Sequence, residues 1–397
     1  MLRTARSRFD RRVLGRLIVG LMCGCALGAL GVELLAGAQP TSASAASVGA
    51  GLQGGSEAGS QPVAPLAVGR AVGQMLMTDI TGLEPSPRLL ARIRAGQVGN
   101  VILYSDNIAS NSQLRSLDAT LQRAAKEGGN PPLLIGTDQE GGEVKRVQDA
   151  PPTMSAQQMG AGANPAAVAR RQGRATGEYL RRLGINVDFA PVSDIPTTAN
   201  NFLHERAFGH SQARVIAGAS GFAAGLAEAH IAGTAKHFPG LGDAGPRDTD
   251  DEVVTIDASK RSLQSAYKPY EAMSSLGSDV APLVMVSNAI YPSLDRSGLP
   301  ADLSPTIVQG QLALAGMGAR VVITDDLEVP AVEQYSDAPV MAVKAGDDIL
   351  MFAAREAGSE QAYREIKTAV GAGKLPRSLV SAAAQRVIEL KQRVGLG

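Results

Sequence analysis

Cysteine is nearly absent from this chain of 397 residues, and the two it has, Cys23 and Cys25, both lie in the N-terminal segment. The remainder therefore holds no disulfide, no thiol nucleophile and no cysteine metal site. An excess of one charge is also missing. Lys and Arg total 38, Asp and Glu total 38, and the net charge is zero. The basic footprint of a nucleic-acid binder is not there, so no nucleic-acid partner is expected. No Gly-x-Gly-x-x-Gly or phosphate-binding loop follows any predicted strand, which argues against a nucleotide cofactor. Trp is absent, yet 44% of the residues are hydrophobic, ample for a large core.

The N-terminus reads as a targeting segment. Arg3, Arg6, Arg8, Arg11, Arg12 and Arg16 form a basic region ahead of an apolar run, Leu17 to Val32, and small residues follow around Ala36 to Ala38 and Ala43 to Ala46. That run falls a little short of the roughly 20 residues of a membrane span. Residues 1–46 are thus expected to be a signal peptide first and an uncleaved anchor second. Arg11-Arg12 weakly suggests twin-arginine export, and Cys23 or Cys25 offers an imperfect lipidation box. Export to the cell envelope or medium follows, and a membrane tether through the N-terminus stays open. Residues 47–65 are rich in Ser, Ala and Gly, a flexible-linker composition. The remaining 66–397, roughly 330 residues, exceed the ~250 of a typical (β/α)8 barrel but fall within its range with insertions.

Short apolar runs alternate with helical spacings through this region, the pattern of parallel βαβ units. The predicted strands are Gln74 to Met77, Val101 to Tyr104, Leu133 to Gly136, Val187 to Ala190, Ile231 to Ala235, Leu283 to Val286, Val321 to Ile323 and Ile349 to Phe352. Helices are expected over Pro165 to Leu183 and Gln212 to His230, after Ser304-Pro305, and in a last segment capped by Ser378. Eight alternations predict a single α/β domain of the (β/α)8 TIM-barrel type.

Such a barrel keeps its chemistry at the C-terminal ends of its strands. The third predicted strand runs into Thr137-Asp138-Gln139-Glu140-Gly141-Gly142, and the fourth leads to Asp194. The fifth leads into Lys236-His237, the sixth into Ser287-Asn288 and the seventh into Thr324-Asp325-Asp326. One Asp at a strand-to-helix junction is ordinarily a helix cap, but five polar ends on one rim are poorly explained by capping. A carboxylate-rich pocket with a few cations suits a sugar or polyol, and it also suits a divalent metal held by oxygens. Lys236 and Arg206 would compete for those oxygens, so no metal and no cofactor are expected.

In this order the motifs Asp138 to Gly142, Phe189-Ala190-Pro191-Val192, Glu205-Arg206-Ala207-Phe208-Gly209, Ala235 to Gly240 and Ile323 to Leu327 resemble glycoside hydrolase family 3. The likeness is to its single-barrel β-N-acetylglucosaminidases and covers nearly all of Val72 to Gly397. It implies an exo-acting, retaining glycosidase that releases terminal β-linked N-acetylglucosamine from peptidoglycan fragments or related glycans. It implies a glycosyl-enzyme on Asp325, in preference to Asp326. It also implies that Asp138, Arg146, Arg206, Lys236 and His237 hold the sugar. An amino-sugar glycan is the expected partner, and with no oligomer signal the chain is read as a monomer.

The chain departs from the family at the acid/base loop. Asp248-Thr249-Asp250 stands where Asp-Ser-His or Asp-Thr-His is usual, Leu241 replaces a His, and Glu143 replaces an Arg. None of the four histidines, His204, His210, His230 and His237, falls in that loop. Asp250, or its neighbour Asp248, Asp251 or Glu252, is then the expected general acid, since burial or a nearby carboxylate raises a carboxyl toward working pH. The alternatives are a catalytically impaired amino-sugar binder and a β-glucosidase-like exo-glycosidase. The intact sugar-binding set and Asp325 favour the enzyme.

Overall fold

The computed structural model describes residues 66–396. The targeting segment and the linker read above lie outside the described residues. Eight parallel strands close into a barrel: β1 (Leu76–Thr78), β2 (Asn100–Leu103), β3 (Leu134–Thr137), β4 (Val187–Asp188), β5 (Ala232–Phe238), β6 (Leu283–Val286), β7 (Val321–Asp326) and β8 (Ile349–Phe352). Each strand pairs with its neighbours in sequence, and β1 closes the ring on β8, Leu76 opposite Leu350. Helices fill the connections, which is the (β/α)8 architecture read from the sequence. No helix among the described residues is long and apolar enough to cross a membrane.

Barrel strands are short and apolar because both of their faces are covered. One face fills the barrel: Met77, Ile102, Leu134, Val187, Phe189, Leu283, Met285, Val321, Ile323, Ile349 and Met351 form a single interior cluster. Gly136 makes room in it, since a Cβ there would lie 2.7 Å from the Phe189 ring. The other face packs under the helices, in a larger cluster that includes Val101, Ile135, Val284 and Val322. Burying each such side chain contributes roughly 1.5–3 kcal/mol.

Local chemistry sets the helix limits. Pro165–Leu183 starts on Asn164, whose side chain accepts from the Ala167 N–H, has Pro at its first turn, and stops at Gly184 with φ 98°. The C-terminal helix begins at Arg377 after Pro376, so Ser378 lies inside its first turn and is not the cap expected. After Ser304-Pro305 the chain makes a wide π-type helix, Thr306–Gln311, before one short α turn, Leu312–Leu314. The expected N-cap contact is present there, with the Ile307 N–H donating to Ser304 Oγ at 3.2 Å.

Several strand ends differ from the sequence reading: β1 starts at Leu76 and leaves Gln74 in the preceding helix, β4 stops at Asp188, and β7 runs on through Thr324, Asp325 and Asp326. The β5 strand continues through Lys236 and His237 to Phe238, so both polar residues belong to the strand itself. Its register against β6 shifts between Ala235 and Phe238, and such an irregularity re-aims side chains beside a site. A two-stranded hairpin, Gln139–Gly141 with Val144–Lys145, was not foreseen and projects from the end of β3.

At the opposite end of the barrel the C-terminal helix, Arg377–Arg393, adds Val387 and Leu390 to the interior cluster. Lys391, 1% exposed, donates from Nζ to Gln74 Oε1 at 2.6 Å and to the Gly99 carbonyl at 2.9 Å. Burial without a carboxylate partner pushes this ammonium down to about 7.

Candidate active site

The hairpin after β3 supplies the first part of the site. Gln139 fixes it, donating from Nε2 to the Val147 and Pro151 carbonyls and accepting the Val147 N–H, all within 3.0 Å. That leaves Asp138 and Glu140 facing Lys236 of β5. Lys236 Nζ lies 2.7 Å from Asp138 Oδ1 and 2.7 Å from Glu140 Oε1. Arg206, from the loop after β4, grips Glu140 with two parallel bonds, Nε to Oε2 and Nη2 to Oε1, each 2.8 Å. Arg146 approaches Asp138 Oδ2 at 3.9 Å while its guanidinium lies 5.3 Å from the centre of the Tyr104 ring. Sequence reasoning thus named four members of one ionic network, Asp138, Arg146, Arg206 and Lys236, and missed the fifth, Glu140. Glu140 stood inside the quoted Asp138-to-Gly142 motif, and its burial was the missing signal.

Burial alone would raise the Asp138 and Glu140 carboxyls. The cations outweigh it, Lys236 and Arg146 at Asp138, Arg206 and Lys236 at Glu140, and both are held below the ordinary carboxylate range. Burial would likewise lower Lys236 and Arg206, and their carboxylate partners turn that into a rise. All four side chains are therefore charged. Beneath them Asp188 is fully buried, accepts the Gln139 N–H at 3.0 Å through Oδ1, and leaves Oδ2 without a partner. Burial pushes this carboxyl well up.

His237 is fixed from behind by Asp194, a second residue the sequence reading did not assign. Asp194 Oδ2 takes both the His237 backbone N–H at 3.1 Å and Nδ1 at 2.8 Å, while Oδ1 takes the Leu241 N–H at 2.7 Å. The imidazole therefore presents Nε2 as its remaining polar atom, with the ring orientation set by a carboxylate.

At the end of β7 two adjacent aspartates divide their tasks. Asp326 is fully buried and accepts backbone N–H groups from Glu328 at 3.2 Å and Ala353 at 2.9 Å, so it ties β7 to the segment after β8. Asp325 is partly exposed, its Oδ1 taking the Asp326 N–H at 2.9 Å. Behind it Asp302 is fully buried with neither carboxyl oxygen hydrogen-bonded. Burial first, and the charge of Asp325 second, push Asp302 well up.

The acidic loop after Gly242 is not loose. Thr197 N–H and Asn201 Nδ2 donate to the Gly242 carbonyl at 3.0 and 2.9 Å, and Phe202 N–H donates to Gly245 at 2.9 Å. Gly242 admits no side chain, since a Cβ would lie 2.1 Å from the Ile195 carbonyl oxygen. Within the loop, Asp248 Oδ1 accepts the Asp250 N–H at 3.0 Å. Asp248 is raised above the ordinary aspartate range: burial contributes most, and Asp251 and Asp325 add to it against the pull of the Asp250 N–H and Arg206. Asp248 therefore shares a field with both Asp325 and Arg206. Asp250 is half-buried, and Asp251 and Glu252 are exposed.

Known proteins resemble this chain over the whole barrel. A family model described as the glycosyl hydrolase family 3 N terminal domain matches residues 68–390. An uncharacterized secreted glycosyl hydrolase of Arthroderma benhamiae is 33% identical over 81% of this chain and 92% of its own length. A beta-hexosaminidase of Alkalilimnicola ehrlichii is 30% identical over 70% of this chain and 79% of its own. Among solved structures, a glycoside hydrolase family 3 beta-N-acetylglucosaminidase from Paenibacillus sp. str. FPU-7 superposes with a TM-score of 0.78 at 31% identity. That likeness covers 83% of this chain and 63% of the Paenibacillus chain, so this chain spans less than two thirds of that relative. A beta-N-acetylhexosaminidase from Beutenbergia cavernae gives 0.72 at 29% identity, over 82% of this chain and 99% of that one.

Proposed function

Because the chain belongs to glycosyl hydrolase family 3, we propose that it is an exo-acting, retaining β-N-acetylglucosaminidase with Asp325 as nucleophile and Asp248 as proton donor. The names of its relatives supply the sugar. The observation that carries the reading is the split between Asp326, consumed by backbone N–H groups, and Asp325, partly exposed and in the same field as Asp248.

In this mechanism Asp138 accepts from sugar hydroxyls while Lys236, Arg206 and Arg146 donate to the remaining oxygens. Asp325 attacks the anomeric carbon as Asp248 passes its proton to the leaving oxygen, giving a glycosyl ester and a free alcohol. Forming the ester removes the negative charge of Asp325. That charge is one of the causes that raise Asp248, so the Asp248 carboxyl falls back toward the ordinary range, stays ionised after giving up its proton, and is left as the base that activates water in the second step. Asp248 is chosen because burial raises its carboxyl and the charges of both Arg206 and Asp325 act on it. Peptidoglycan fragments as substrate and export from the cell belong to the same proposal; the basic, apolar N-terminus and one relative described as secreted support the export.

The test is hydrolysis of an aryl N-acetyl-β-glucosaminide and the matching glucoside by the chain and by Asp325→Asn. Turnover of the amino sugar that disappears in Asp325→Asn is the expected result. A wild type that binds N-acetylglucosamine and turns over neither substrate would leave a glycan binder in place of the enzyme.

A further inference from the structure

The loop that carries Arg206 holds two of the four histidines of the chain, and they touch. His204 Nδ1 lies 3.0 Å from His210 Nε2, with ring centres 5.0 Å apart. The outer nitrogens are held as well: His210 Nδ1 lies 3.0 Å from the Pro196 carbonyl oxygen and His204 Nε2 lies 2.7 Å from the Gln157 side-chain amide. A carbonyl only accepts, so His210 carries its proton on Nδ1 and turns a lone pair at Nε2 toward His204. His204 then donates from Nδ1 and accepts from Gln157 at Nε2. The contacts form one directed chain, anchored at the backbone.

We propose that His204 and His210 are a two-imidazole chelate for copper(II), with Gln157 and the Pro196 carbonyl as the outer partners that orient the rings. The site needs two changes: His204 moves its proton from Nδ1 to Nε2, and the Gln157 amide turns to accept it. No proton is gained or lost, and two lone pairs then face each other. With metal–nitrogen bonds of about 2.0–2.1 Å, a separation of 3.0 Å gives an N–metal–N angle of about 94°. That is the angle of neighbouring ligands in a tetragonal site, which suits copper(II) and nickel(II), and copper binds more tightly in the general order of divalent metals. A metal-ligating imidazole ordinarily donates its other N–H to a carbonyl or similar acceptor: His210 has the Pro196 carbonyl in place, and the turned Gln157 amide oxygen would serve His204. Among the described residues no group of three or more His, Cys, Asp or Glu side chains is arranged around a metal. Water must therefore complete the coordination, and exposed His210 leaves it access. A metal here would tie Pro196, His204 and His210 into one unit and brace the loop on either side of Glu205 and Arg206.

The experiment titrates copper(II) into the full chain carrying Cys23→Ser and Cys25→Ser, followed by electron paramagnetic resonance in a weakly chelating buffer. One equivalent with hyperfine structure from two nitrogens is expected. His204→Gln and His210→Gln should each weaken binding at least tenfold, Gln157→Leu about tenfold, and His230→Gln not at all. Circular dichroism and metal-free hydrolysis of the aryl amino sugar, unchanged within about twofold in His210→Gln, separate loss of the site from loss of the fold. Binding that survives His204→Gln/His210→Gln, or no saturable binding, overturns the proposal. Zinc(II) binding more tightly than copper(II) overturns the tetragonal assignment.

Discussion

Replacing Glu140 with Gln should unsettle the molecule more than any surface change of equal size. The Glu140 side chain is 2% exposed and takes two bonds from Arg206 and one from Lys236, between 2.7 and 2.8 Å. Glutamine keeps the shape but turns one acceptor into a donor facing a cation, and it leaves Arg206 and Lys236 with Asp138 as the nearest compensating charge. Breaking one side of a buried ionic network costs about 3–5 kcal/mol. Unfolding entropy of about 2.1 cal/mol/K per residue over roughly 330 residues converts this to a Tm lower by about 4–7 °C. Scanning calorimetry at pH 7 measures it, and in the double variant Glu140→Gln/Arg206→Met the losses should fall short of additive by about 2 kcal/mol. The pH dependence gives a second check. The folded state holds Glu140 below its unfolded value, so as pH falls the unfolded chain takes up this proton first. The contribution of Glu140 is whole well above the unfolded value of about 4.3 and drains below it, by about 1.4 kcal/mol between pH 4.3 and 3. A variant whose Tm stays within about 1 °C of the wild type at pH 7, or whose deficit is constant down to pH 3, would refute the reasoning.

Other outcomes follow from the same structure. Asp248→Asn should cost about 10²- to 10⁴-fold on a natural disaccharide and far less on aryl substrates, whose leaving groups need little protonation. It should also remove the basic limb of the kcat/KM profile, a limb that lies above the ordinary aspartate range because Asp248 is raised. If Asp250→Asn does this and Asp248→Asn does not, the proton donor has been misassigned. Lys391 titrates near 7 in the folded chain, below its unfolded value of about 10.4. The unfolded chain therefore holds the extra proton between these values, and stability rises with pH across that window. Lys391→Met should flatten the rise, worth on the order of 4 kcal/mol over the window, and urea unfolding at pH 7 and pH 10 would show it. Phe238→Ala should cost about 3–5 kcal/mol, because Phe238 is fully buried with ring centres 5.0 and 5.3 Å from Tyr267 and Tyr270. A loss under 1 kcal/mol in the same assay would argue against that packing.

The barrel was legible because its strands are apolar on both faces, and eight such runs announce themselves without any partner being known. Their limits were less so. Lys236 and His237 look like the end of a strand to any reading of hydropathy, yet β5 carries them inside because Asp138 and Glu140 neutralise Lys236 and Asp194 hydrogen-bonds His237, each from another segment. Four of the five ionic residues were found by motif. Glu140 escaped because a buried glutamate is recognised only when its cations, 66 and 96 residues away in the chain, are known to fold against it. The same holds for Asp194, which reads as one more loop acid until His237 is seen resting on it. The choice of Asp248 also lay beyond sequence, since it depends on burial of that carboxyl and on the charge of Asp325 acting on it across the fold.

The carbonyls of Leu241, Gly242 and Gly245 are claimed by Thr197, Asn201 and Phe202. The connection after β4 and the connection after β5 are thereby sewn together along their lengths. Neither can be lengthened, shortened or exchanged alone without unpicking the other. An engineer who wished to restore an imidazole at position 250, or to graft a different aglycone preference, would have to move both connections as one cassette, from about residue 195 to 211 and from 239 to 256. Chimeras that swap a single one should express poorly, and those that swap the pair should fold.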